Sequence, residues 1–241
     1  MKKVEIFGIK FNNLDLDEAL QKIKSFLENG KQHYIVLPYS EFIIRAQQDK
    51  EFRKILNEAD LCLCESRGLW FSLRFLGKEL KKNIYGVDLI LALSQKLKIQ
   101  NKKIFLFGGK EKVVKKTGDK LGECIVGTEH GYQDLDKVVE KINKVKPDIL
   151  LVALGSPKQE KWIYYNLKKM PSVKVAIGVG GAFDFISGYI KRAPKFMQDI
   201  GLEWLWRLIV QPHRFKRIYN GVIKLGCLIL KEKISSHIHN S

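Results

Sequence analysis

Ile149–Trp162 (ILLVALGSPKQEKW) and Val175–Pro194 (VAIGVGGAFDFISGYIKRAP) decide how this chain folds. In each stretch an apolar run rich in Val and Ile stops at a glycine, and polar residues open the next segment. Runs of this kind read as buried parallel strands. Whatever follows the glycine then lies at the carboxyl end of a strand, where open α/β sheets bind ligands. Two loops, Gly155–Glu160 and Gly178–Asp184, are therefore expected to line one crevice. A third piece, Gly201–Leu208 (GLEWLWRL), interleaves tryptophan with charge and leads into a basic, apolar tail.

Outward from that block, strands and helices alternate along the chain. Val4–Phe11, with Gly8 inside it, predicts a small hairpin or edge strand. A helix runs from Asp15-Leu16-Asp17 to Leu27. Tyr34–Pro38 reads as a strand and Ser40–Asn57 as one helix. Asp60–Cys64 reads as a strand, which puts Glu65-Ser66-Arg67-Gly68 at its carboxyl end. A helix over Leu69–Leu76, a loop at Asn83–Asp88 and another helix to Leu97 follow. Lys103–Phe107 is a strand ending in Gly108-Gly109, with a lysine-rich helix to Leu121 behind it. Cys124–Val126 is a short strand leading to Gly127–Tyr132, and Asp134–Val145 a helix. The alternation predicts an α/β fold with a doubly wound, mostly parallel, Rossmann-like sheet and right-handed crossovers. The one boundary falls near Pro194, separating a sheet domain at 1–193 from a basic helical appendage at 194–241.

A chain of 241 residues with 45% hydrophobic content can bury a proper core, which excludes disorder. A formal net charge of +17 calls for anionic partners: nucleic acid, phosphorylated ligands or an anionic membrane. Met1-Lys2-Lys3 is followed by an alternating stretch without the apolar core of a leader. No uncharged apolar run approaches the roughly eighteen residues of a spanning helix. The expected location is therefore cytoplasmic or peripheral to a membrane. Cys62, Cys64, Cys124 and Cys227 lack the spacing of a zinc set and read as free thiols. Asp15-Leu16-Asp17 and Asp134-Leu135-Asp136 have the D-x-D form of some metal sites. Both open helices, where carboxylates cap free N–H groups, and no metal is expected.

Gly108-Gly109 between a strand and a helix is an arrangement in which backbone N–H groups approach phosphate. A tight turn is the competing account. Gly178-Val179-Gly180-Gly181 carries the same ambiguity, and Asp184 beyond it could accept hydrogen bonds from a uracil or a ribose. From Lys191 to Lys233 there are ten Lys or Arg against three Asp or Glu, interleaved with Trp204, Trp206, Phe215 and Tyr219. A basic, aromatic, helical segment reads as an interfacial membrane anchor. The arginine fork suits a diphosphate. A solvated basic face over an ordinary core stripe, or a nucleic-acid surface, would share this composition. No recognised nucleic-acid-binding module is visible, so nucleic acid is not expected as a partner.

LGSPKQEKW, GVGGAFDF-x-x-G-x-x-KRAP and GLEWL-x-RL-x-x-x-P-x-R resemble the WecG/TagA/CpsF glycosyltransferases, and the likeness covers almost the whole chain. It implies an inverting, metal-independent transfer of a hexose, N-acetylmannosamine or a related sugar. The donor would be a UDP-sugar, acting as substrate with no cofactor. The acceptor would be a polyprenyl-diphosphate-linked sugar at the inner membrane face, in teichoic acid or other surface-polysaccharide synthesis. Gly108, Gly109, Gly131, Tyr132, Gly155, Gln159, Gly180, Gly181 and Asp184 would then form the donor pocket. Arg207, Arg214 and Arg217 would meet the lipid diphosphate. Family members assemble, which implies a homo-oligomer.

The chain departs from the family where the chemistry lies. The family's Pro-Asp-Gly, whose aspartate is regarded as the base, is matched here by Cys64-Glu65-Ser66, so the base would be Glu65. Arg67 beside it would keep the carboxylate ionised or bind a substrate phosphate. Leu37-Pro38-Tyr39 stands for Thr-Pro-Asn, Asn83 for an arginine and Tyr85 for a small residue. Changes at Leu37, Tyr39, Arg67, Asn83 and Tyr85 would alter donor preference. They also leave room for a catalytically silent UDP-sugar binder, and a nucleic-acid-binding protein is the more distant rival.

Overall fold

The computed structural model describes residues 2–98, 101–212 and 215–238. Strands β1 (Lys3–Ile6) and β2 (Ile9–Asn12) form an antiparallel hairpin in which Ile6 faces Ile9. Its two-residue turn, Phe7-Gly8, has positive φ at both positions (49° and 75°), the twist that suits a tight hairpin. The main sheet contains β3 (His33–Val36), β4 (Leu61–Cys62), β5 (Ile104–Gly108), β6 (Ile125–Glu129), β7 (Ile149–Ala153) and β8 (Val175–Gly178) in the order β4-β3-β8-β7-β5-β6. Every pairing in it is parallel.

The apolar runs are continuous because both faces of the sheet are covered. Leu150 and Val152 join one core with Phe105, Phe107, Tyr34 and Val36. Ile149 and Leu151 point the other way, to a second core with Leu106, Ile35 and Ile177. The first core is closed by α2 (Ser40–Gln48), α3 (Lys50–Glu58), α4 (Arg67–Phe75), α7 (Leu135–Val145) and α8 (Lys158–Asn166). The second is closed by α1 (Leu16–Glu28), α5 (Gly86–Lys98), α6 (Glu111–Leu121) and α9 (Ala182–Ile186). From Pro194 on the chain is helical: α10 (Lys195–Asp199), α11 (Glu203–Val210), α12 (Phe215–Tyr219), a π-helical turn at Asn220–Lys224 and α13 (Leu225–Ile238). These helices do not stand apart from the sheet, since Leu225 and Ile229 are buried in the first core.

Three local expectations change. Ser40–Asn57 is two helices, because Asp49 leaves helical geometry and its side chain caps Phe52 N at 2.9 Å. β4 is shorter than Asp60–Cys64 and ends at Cys62. β6 runs on to Glu129 rather than stopping at Val126, with Gly127 paired to Phe105. Both D-x-D tripeptides are helix caps: Asp15 forms a capping box with Glu18, and Asp134 accepts from Asp136 N.

Candidate active site

At the carboxyl edge of the sheet, β7 and β8 lie between β3 and β5, and the loops after them open into two adjoining clefts. The first is walled by Gly109 after β5, Gly155 and Ser156 after β7, and Gly180 and Gly181 after β8, with Gln159, Asp184 and Leu37 around them. The second is walled by α4, α5, α11 and the α12–α13 segment, through residues such as Arg67, Val87, Trp204 and Val222. Tyr39, Glu65 and Arg207 line both.

Main chain shapes the first cleft. Gly108, at φ 117°, brings β5 so close to β7 that a Cβ there would sit 2.5 Å from the Ala153 carbonyl. Gly109 N donates to Ala153 O at 3.0 Å, which fixes the loop. Gln159, 2% exposed, has its amide oxygen between the two glycine loops, accepting from Gly155 N at 3.2 Å and Gly180 N at 3.0 Å. Its Nε2 donates to Glu160 at 2.6 Å. Gln159 thus holds the cleft's walls in place. Gly108 and Gly131 serve the packing of β5 and its neighbours instead of lining the cleft. Tyr132 is 78% exposed, outside the lining.

Glu65 reaches the seam through the turn after β4. Its own N–H donates to Pro38 O at 3.0 Å and its carbonyl accepts from Asn83 Nδ2 at 3.2 Å. Its Oε1 accepts from Gly86 N at 3.2 Å. Gly86 has no room for a side chain: a Cβ would meet that oxygen at 2.9 Å and Leu37 Cδ1 at 3.3 Å. Burial pushes the Glu65 carboxyl up to about 7, against the charge of Arg207 and the Gly86 N–H, with Glu203 and Glu160 adding to the rise.

Of the two roles expected of Arg67, keeping Glu65 ionised falls to another residue, while Arg67 itself lines the helical cleft. Arg67 stacks on Trp70 at 4.4 Å and Phe71 at 5.3 Å and donates to Asn83 Oδ1 at 3.3 Å, so it steadies the amide that holds the Glu65 carbonyl. The cation acting on the carboxylate is Arg207, from the far end of the chain. Its guanidinium lies over the Phe185 ring at 4.7 Å and near Gly181. Among the described residues it forms no ion pair. Arg214 and the side chain of Arg217 lie outside the described residues. Tyr85 reaches across to donate to Gln198 O at 3.1 Å, and Tyr39 donates to Glu41 at 3.0 Å.

Gly86, Asp88, Arg192 and Glu203 join the site without having been singled out from the sequence. The available signal was a glycine after Asn83 and the arginine of KRAP, which belongs to a motif of the family resemblance and to the basic run but carried no role of its own. Burial holds the thiols of Cys62 and Cys64 well above their ordinary range. Among the described residues no group of three or more His, Cys, Asp or Glu could hold a metal ion.

A parallel α/β sheet with two adjoining clefts at its carboxyl edge has the ligand-binding layout of open α/β enzymes. The chain belongs to the Glycosyl transferase WecG/TagA/CpsF family, which it matches over residues 4–238. It is 32% identical to a protein of Bacillus spizizenii over 99% of this chain and 95% of that one. A Bacillus subtilis protein is 34% identical over 88% of this chain and 87% of its own. A Staphylococcus aureus protein is 29% identical over 90% and 88%. Each of these three is named N-acetylglucosaminyldiphosphoundecaprenol N-acetyl-beta-D-mannosaminyltransferase.

Proposed function

We infer that this protein is an inverting glycosyltransferase. It moves N-acetylmannosamine or a related hexose from a UDP-sugar to a polyprenyl-diphosphate-linked sugar, in the synthesis of teichoic acid or another surface polysaccharide. The observation that carries this reading is the placement of Glu65 and Arg207 in the wall shared by the two clefts. The relatives' names supply the acceptor and the sugar moved. The UDP-sugar sits in the glycine-lined cleft, where bare main chain at Gly109, Gly155, Gly180 and Gly181 lets the diphosphate approach closely. The acceptor hydroxyl enters from the helical cleft and attacks the anomeric carbon opposite the departing UDP. The new C–O bond forms as the bond to UDP breaks, and the hydroxyl proton passes to Glu65 and from there to water. A carboxyl titrating at about 7 is a competent base at neutral pH. Arg207 offsets the charge developing on UDP, in place of a metal.

The same reading places the protein on the inner membrane face. Among the described residues no helix is long and apolar enough to cross a membrane. The face beside the helical cleft exposes Ile209, Phe215 and Ile223 of the C-terminal helices and Phe71 and Phe75 of α4, with Lys233 over the Phe75 ring at 5.7 Å. Apolar and cationic side chains together suit an anionic bilayer. Away from the membrane, other copies of the chain would cover that face.

The test is UDP release from a panel of UDP-sugars given a lipid-diphosphate N-acetylglucosamine acceptor, with EDTA present, for the wild type and Glu65→Gln. Acceptor-dependent release that collapses in the variant is the expected result and names the donor. UDP binding without release from any donor would make the protein a silent sugar-nucleotide binder. Equal release by both proteins would remove Glu65 as the base.

A further inference from the structure

We propose that the ion pair between Asp88 and Arg192 is a positioning device for Glu65, holding the first turn of α5 so that the Gly86 N–H stays aimed at the Glu65 carboxylate. The inference rests on the reading of Glu65 as the base. Arg192 Nη1 donates to Asp88 Oδ1 at 2.6 Å and Nη2 to Oδ2 at 3.1 Å, a forked pair that fixes angle as well as distance. Asp88 lies in the first turn of α5, and Gly86 begins that helix. The Gly86 N–H is one of the donors a helix start leaves without an intrahelical partner, and here its acceptor is Glu65 Oε1.

A second link ties the same two segments together. The Arg192 guanidinium lies over the Tyr85 ring at 5.1 Å. Tyr85 donates its hydroxyl to Gln198 O at 3.1 Å, and Gln198 Nε2 donates back to Ala193 O at 2.7 Å. Residues 85–88 and 192–198 are thus closed into one ring of contacts, with Gly86 and Glu65 at its edge. The charged groups around Glu65 are Arg207 and Glu203 from α11, Glu160 from α8, Arg67 at the head of α4, Glu41 from α2, Asp184 from α9 and Arg192 itself. Among the described residues neither Asp88 nor Arg192 hydrogen-bonds Glu65. The hydrogen-bonded route from the pair to the carboxylate runs through the first turn of α5 to the Gly86 N–H.

The pH profile of kcat separates this role from its rivals when measured for the wild type, Asp88→Asn, Arg192→Gln and Arg192→Lys. Direct titration of the Glu65 carboxyl by 13C NMR, assigned against Glu65→Gln, accompanies it. Positioning predicts that Asp88→Asn and Arg192→Gln both move the acid limb upward, because both release the Gly86 N–H that favours the ionised form. Each should lower kcat by on the order of tenfold, with UDP affinity unchanged. Arg192→Lys, which keeps the charge and loses the fork, should fall between them and the wild type. A through-space charge effect predicts opposite shifts, since one variant leaves an unpaired cation and the other an unpaired anion, and that result would overturn the proposal. So would a raised acceptor KM in Arg192→Gln with kcat and the limb untouched, which would make Arg192 a substrate ligand. Thermal melts identify a variant that has lost its fold, in which case Arg192→Lys alone decides. If Glu65→Gln keeps full turnover, the base assignment fails, and the NMR titration still reports whether the pair sets the carboxyl.

Discussion

The glycine-lined cleft and the helical cleft meet at Glu65, yet they are built differently. The first is built on glycine loops that follow neighbouring strands of the sheet and are braced by one buried amide, Gln159. The second is chiefly side chain, assembled from α4, α5, α11 and the α12–α13 segment, which are far apart in the sequence. A main-chain pocket places its hydrogen-bond donors by fold alone and costs no side-chain entropy on binding. A side-chain pocket can change its ligand by substitution while the sheet stays as it is. The departures at Leu37, Tyr39, Asn83 and Tyr85 fall at or beside the seam and leave the glycine loops intact.

Substitutions at the seam should separate the two clefts most sharply. Glu65→Gln should reduce turnover by about 10²–10⁴-fold while isothermal calorimetry shows UDP binding unchanged. Loss of UDP binding in that variant would mean that the two clefts are not separate. Arg207→Gln comes next, with turnover down by about 10²–10³-fold. Because Arg207 opposes the upward shift of Glu65, the acid limb of the pH profile should also move above about 7. A profile that stays in place would remove Arg207 as the partner of the carboxylate.

Gln159→Met tests the main-chain cleft by itself. It leaves the Gly155 and Gly180 N–H groups without their acceptor, which should cost about 1–3 kcal/mol in a denaturant melt. The UDP dissociation constant should rise, and the acceptor KM should stay where it was.

The smallest effect is on stability against pH. The folded pKa of Glu65, about 7, lies above its ordinary 4.5, so between those values the native state holds a proton that the unfolded chain releases. Stability therefore falls as pH rises through this window, and the cost of the buried charge is fully present only above it. Glu65→Gln removes that cost. The Tm difference, variant minus wild type, should be more positive at about pH 8 than at about pH 5, and an equal difference at both would count against the raised pKa.

Much of the frame was legible in the sequence. Ile149–Ala153 and Val175–Gly178 are apolar without alternation because they are covered on both faces, and the glycine after each marks the loop. Gly155, Gly180, Gly181 and Asp184 could be placed in one crevice from that pattern. The role of Arg67 could not, because its neighbours Trp70, Phe71 and Asn83 fix its direction only after α4 has docked. Nor could the break at Asp49, where a side-chain cap outweighs a continuous apolar stripe.

By itself the sequence determined the alternation of strand and helix, the parallel sheet and the carboxyl edge where its glycine loops gather. These follow from local periodicity and from where glycine interrupts it. Only the tertiary structure decided what meets at that edge. Arg207 is brought to Glu65 by the return of the C-terminal segment over the sheet, and Arg192 meets Asp88 across 104 residues of chain where α9 packs on α5. That return is fixed by burial of Leu225 and Ile229 in the first core. Such contacts depend on how separate apolar faces stack, and no local pattern in the sequence records it.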